Sequence, residues 1–239
     1  MARRRWRATE YRGISSAPPR LVRRSVQLLI GLFLYGVGIA FLVRSDLGAA
    51  PWDILTLGIA QHVPLSFGAI SVVVSFLVLL IWIPLRQRPG AGTLANALLI
   101  GPFVDLAFLA IPETNLLWLQ IVFMLVGIVV IGFATGLYIG SRFGPGPRDG
   151  LMTGLHRVTG RQIWVVRTVI EATVVLLGWL LGGIVGVGTV AFVLMIGPIC
   201  QYFMRIFYVT LSSDPVVDDV APASVEPTRD ILQVEQPAI

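Results

Sequence analysis

Two stretches of this 239-residue chain carry residue types that do chemistry at helix starts. They are LGAAPWDILTLG, from Leu47 to Gly58, and FGPGPRDGLMTG, from Phe143 to Gly154. Both contain Gly-x-x-Pro-x-Asp: Gly48, Pro51 and Asp53 in one, Gly144, Pro147 and Asp149 in the other. Proline suits the first helical position, where its missing N–H would have no partner anyway. The aspartate then falls in the first turn, where a carboxylate meets the positive end of the helix dipole. The glycines permit the tight backbone that a helix break needs. About ten residues follow each start before the next break, at His62-Val63-Pro64 or Thr159-Gly160. Ten residues rise only about 15 Å, half a bilayer. Two arrangements fit these short helices. They lie at the membrane interface, or they dip into the protein from opposite faces with their free N–H groups turned toward a substrate or ion.

Other ionisable residues fall inside long apolar runs, where each is a functional candidate by default. Glu171 and Arg167 are one turn apart and can pair on one helix face. Glu171 is expected to be the coupling acid, with Arg148 or Arg167 as its counter-charge; a plain structural ion pair is the competing reading. Asp105 lies in the outer half of an apolar run that also holds Asn96, either as a coupling group or solvated in a vestibule. The candidate substrate- or ion-binding residues are therefore Asp53, Asp149, Arg148, Glu171, Arg167 and Asp105. Ile100-Gly101-Pro102 and Ile196-Gly197-Pro198 place proline in mid-run, where it kinks a helix, for packing or as a hinge. His62 and His156 are isolated and make no metal site. Cys200 is a small apolar-run residue that excludes an internal disulfide. No nucleophile motif, phosphate loop or paired catalytic constellation occurs, so neither an enzyme nor a cofactor is expected.

The elements that must hold these residues are apolar helices. Hydrophobic residues make up 56% of the chain and charged ones 13%, against roughly 25% charged in a soluble domain. Six spans are expected, at about Val26–Val43, Phe67–Leu85, Thr93–Ile111, Leu117–Ile139, Ile163–Leu181 and Thr189–Tyr208. The lipid bilayer is thus the chief partner. The net charge of +5 is carried by arginine alone. It does not indicate nucleic acid, because the arginines cluster in the arm and in the loops with Arg86 and Arg88 and with Arg142, Arg148, Arg157 and Arg161. That distribution puts both termini in the cytoplasm. Residues 1–24 are expected to form a basic disordered arm, residues 25–112 and 116–209 two membrane units, and residues 212–239 an acidic disordered tail.

The two units repeat. With the chain offset by 96 residues, Gly31 to Pro102 matches Gly127 to Pro198 at 20 of 72 positions without a gap. Gly36 meets Gly132, Ser45 meets Ser141, Gly92-Thr93 meets Gly188-Thr189 and Ile-Gly-Pro meets Ile-Gly-Pro. Three spans per unit is odd, so the second copy would enter the membrane from the opposite side. Such inverted repeats are common in secondary transporters, with the site at their interface near the midplane.

The repeated element after the first span resembles that of the YczE/YyaS/YitT group of bacterial membrane proteins, best the YczE-like branch. The residues that carry the resemblance are Leu47-Gly48, Pro51-Trp52-Asp53 and Gly58, then Gly144, Pro147-Arg148-Asp149-Gly150 and Gly154. The resemblance covers about Leu28 to Tyr208. It implies a bacterial inner-membrane location and transfers no catalytic residue. The expectation is an all-α, multi-pass plasma-membrane protein that moves a small molecule or ion. The alternative is a non-transporting scaffold or accessory factor, with the arginine arm and acidic tail as its working parts.

Overall fold

The computed structural model describes residues 19–207, and these are all helix and loop. The helices are α1 (Pro19–Arg44), α2 (Pro51–Ala60), α3 (Phe67–Trp82), α4 (Ala91–Ala110), α5 (Leu117–Gly140), α6 (Pro147–Thr159), α7 (Ile163–Leu180) and α8 (Val187–Phe207). Five of them, α1, α4, α5, α7 and α8, are long and apolar enough to cross a membrane. Helix α3 is equally apolar but has 16 residues, about 24 Å of rise. It stops short of the expected Leu85 because Pro84 bars the preceding residue from continuing the helix. The chain is therefore a polytopic helical membrane protein. Helix α1 starts at Pro19, ahead of the expected Val26, so the last residues of the expected arm are helical. The rest of the arm, Tyr208 and the acidic tail lie outside the described residues.

Helix α1 packs along α5, α4 on α1, and α8 on α5. The short helices cross over: α2 packs on α7, and α6 on α3. This exchange is built at glycines. Gly178 of α7 lies under Ile54 and Leu55 of α2, whose backbone leaves no room for a Cβ. At the equivalent crossing the bulk sits on the other partner: Trp82 of α3 covers Gly150 of α6, and its indole N–H donates to the Pro147 carbonyl at 3.1 Å. Helix α2 is buried in the protein rather than laid on its surface, with Pro51, Trp52, Asp53, Ile54, Thr56 and Gly58 all enclosed.

The two broken connections have the same local geometry. Asp46 and Arg142 have φ of 54° and 58°, and Gly48 and Gly144 have φ of 125° and 122°. The last two values favour glycine, since a Cβ there is strained. Ser45 and Ser141, both fully buried, each return a hydroxyl to the carbonyl three residues back, Leu42 and Tyr138. Each connection then hydrogen-bonds to the other half: Gly188 N–H donates to the Leu47 carbonyl at 2.7 Å, and Gly92 N–H to the Phe143 carbonyl at 2.9 Å.

Candidate functional site

The starts of α2 and α6 meet at a cavity of about 220 Å³ to which every helix contributes. Both helices begin with proline at the first turn, and neither N-cap, Ala50 or Gly146, has a side chain that caps it. Pro51 and Pro147 have no N–H to leave open, and at α2 the Asp53 N–H turns back to the Ala50 carbonyl at 2.8 Å. Many lining positions come in pairs 96 residues apart: Tyr35 with Ile131, Pro51 with Pro147, Trp52 with Arg148, Ser71 with Arg167, Ser75 with Glu171, Asn96 with Phe192, Ile100 with Ile196; Tyr138, Asp149 and Cys200 are among those without such a counterpart on the wall. The cavity therefore draws on the same places in both halves, with different chemistry at each.

Five of the six expected site residues converge here. Arg148, from the first turn of α6, reaches across to Asp53 in the first turn of α2, with Nη2–Oδ1 at 3.5 Å. Asp53 is 1% exposed, and the guanidinium also lies 5.3 Å over the Trp52 ring. A charge buried this deeply requires a partner. Arg148 is thus a cavity residue and not a loop charge of the orientation rule. Asp149 lines the cavity, and its Oδ2 accepts the Tyr138 hydroxyl at 2.8 Å. Arg167 Nε donates to Glu171 Oε1 at 2.9 Å. Glu171 thus takes Arg167 as its counter-charge, and Arg148 serves Asp53.

Asp105 stands apart from the cavity. Its Oδ1 accepts the Gly68 N–H at 2.8 Å and its Oδ2 the Ser66 hydroxyl at 2.6 Å. It therefore satisfies the start of α3 from a neighbouring helix, the job of a capping carboxylate. Gly48 and Gly144 form the breaks and Pro51 and Pro147 the starts. Helices α4 and α8 run on through Pro102 and Pro198. His62 and His156 bond only to backbone carbonyls, of Leu181 and Arg161. Among the described residues no cluster of three metal-ligating acids, histidines or cysteines occurs.

The neutral polar lining, Tyr35, Trp52, Ser71, Ser75, Asn96 and Tyr138, is outside the expected site residues, although Trp52 carries the family resemblance and Asn96 stands in the run of Asp105. Polar residues without charge barely disturb an apolar run. The repeat register held a signal for two of them, because Ser71 and Ser75 are the counterparts of Arg167 and Glu171.

Residues 22–205 match a family described as a "Family of unknown function (DUF6198)". A protein of Haemophilus influenzae is 41% identical over 179 residues, 75% of this chain and 82% of the relative. The "Uncharacterized membrane protein YczE" of Bacillus subtilis is 30% identical over 184 residues, 76% and 86% of the two chains. The protein YyaS of the same organism is 29% identical over 181 residues, 74% and 90% of the two chains. No solved structure matches.

Proposed function

The chain belongs to the DUF6198 family and is similar to the Bacillus membrane protein YczE, and we propose from its own geometry that it is a carrier for a small solute. In this reading six helices span the bacterial plasma membrane, with α3 as the sixth, and both termini are cytoplasmic. Helices α1–α4 and α5–α8 are inverted repeats, and α2 and α6 are half-helices that enter from opposite faces. The observation that carries the proposal is the pairing within the cavity lining: many of the same positions of both halves face one partly open cavity, at the starts of two broken helices. Irregular backbone at membrane depth is tolerated where it lines such a space. A volume of about 220 Å³ lies below the usual range for drug-sized ligands, which suits a small solute.

The test is flux in vesicles reconstituted with the purified chain. Asp53→Asn, Asp149→Asn and Glu171→Gln are expected to reduce it. Full flux in all three variants would remove the site assignment.

A further inference from the structure

The cavity carries an imbalance of charge that bears on its solute. Three carboxylates stand on its wall or directly behind it, Asp53, Asp149 and Glu171, against two guanidinium groups, Arg148 and Arg167. Both arginines are engaged, one with Asp53 and the other with Glu171. Asp149 is the one acid of the three without a cationic partner among the described residues. Its Oδ2 accepts from Tyr138, and no hydrogen bond to its Oδ1 occurs among the described residues. The first turn of α6 accommodates this lone negative charge through the helix dipole.

Asn96 supplies the second observation. It comes from α4, lines the cavity and is only 9% exposed, yet its amide has no hydrogen-bond partner among the described residues. An amide that opens on a cavity is available to whatever fills it, as is the indole N–H of Trp52, a buried lining donor without a partner among the described residues. The groups converge on a point. A methyl group on Gly146 would lie 3.2 Å from Asn96 Nδ2, 3.2 Å from Asp149 Oδ2 and 3.3 Å from the Tyr138 hydroxyl. Even a methyl there would be crowded, so the three polar groups form a close corner around Gly146 on the cavity wall. The amide oxygen and nitrogen exchange places by a half-turn, so Asn96 can offer an acceptor there. The corner exists once: the repeat counterparts of Asn96 and Tyr138 are Phe192 and Leu42, and Asp53 is held by Arg148.

We infer that the solute is a small amine with an apolar body. This rests on the carrier reading for its transport, though not for its binding. The ammonium group sits against Asp149 and supplies the missing positive charge, with Asn96 and Tyr138 as neutral partners. The apolar part lies against Ile100, Ile131 and Phe192, which line the same space. A carboxylate-bearing solute would instead bring a second uncompensated negative charge into a confined site.

Calorimetry on the full chain in detergent tests this with benzylamine and butylamine, their counterparts benzoate and butanoate, and benzyl alcohol. The amines are expected to bind about tenfold or more tightly than the acids and the alcohol. Asp149→Asn and Asn96→Leu, on separate helices, should each weaken amine binding by about tenfold or more. Glu113→Gln, in an exposed loop, should leave it unchanged. Tighter binding of benzoate than of benzylamine overturns the inference, as does amine affinity indifferent to both cavity variants. Amine binding without flux in vesicles keeps the inference and removes the carrier. Flux of another solute that benzylamine does not inhibit keeps the carrier and removes the amine.

Discussion

Helices α3 and α4 close on each other through Gly68 and Gly101, whereas α7 and α8, their counterparts 96 residues on, stand apart at Gly197. A Cβ on Gly68 would lie 2.2 Å from the Gly101 carbonyl oxygen, and one on Gly101 as close to the Gly68 oxygen. A Cβ on Gly197 would meet nothing within 4 Å. The sequences differ in the same sense. Gly68 becomes Trp164, 63% exposed; Ser66 becomes Gln162; and Asp105, which holds the start of α3, becomes Gln201. One seam is thus fastened by backbone contact and a capping carboxylate, and the other is left loose beside the Arg167–Glu171 pair. The difference teaches that positions 96 residues apart share a frame, meaning the breaks, the short-helix starts and their cross-links. The two halves then diverged in what they do at the cavity wall.

The ion pairs give the largest expected contrast. Arg148→Ala strands Asp53 in the interior and should destabilise the protein by about 3 kcal/mol or more, as thermal unfolding in detergent would read. Arg167→Ala removes a pair whose arginine is half exposed and should cost about 0.5 kcal/mol. Equal losses would mean that burial does not separate the two pairs.

Next come the seams. Gly68→Ala or Gly101→Ala forces backbone against backbone and should cost about 2 kcal/mol. Gly197→Ala has open space and a gain in helix propensity, so its unfolding midpoint should hold or rise. A matching loss at Gly197 would show that α7 and α8 close in solution. Smaller still, Asp105→Ala should cost about 1 kcal/mol through the uncapped start of α3. Gln201→Ala should be neutral under the same melt.

Several of these features were legible in the sequence because they are local. Pro51 and Pro147 do start helices, Gly48 and Gly144 do take positive φ, and the i,i+4 spacing of Arg167 and Glu171 does make a pair. The expected span limits fall near the observed helix ends except where α1 begins early and Pro84 cuts α3 short. What the sequence hid is long-range. Arg148 and Asp53 sit 95 residues apart and meet only because the starts of two short helices come together. Asp105 read as a possible coupling acid, yet it serves a helix start on its neighbour, a role set by packing and not by spacing. Tyr138 was silent, and Asn96 was noted only beside Asp105, for a different reason, since one amide or hydroxyl in an apolar helix has no periodic signature.

The inversion of the two halves is tested most directly by labelling single cysteines in a Cys200→Ser background with a membrane-impermeant thiol reagent. Val63 follows α2 and Val158 lies at the end of α6; they are 38% and 64% exposed. The proposed arrangement predicts that cysteine at 63 reacts in right-side-out vesicles and cysteine at 158 only in inside-out ones. Reaction of both from the same side would contradict it.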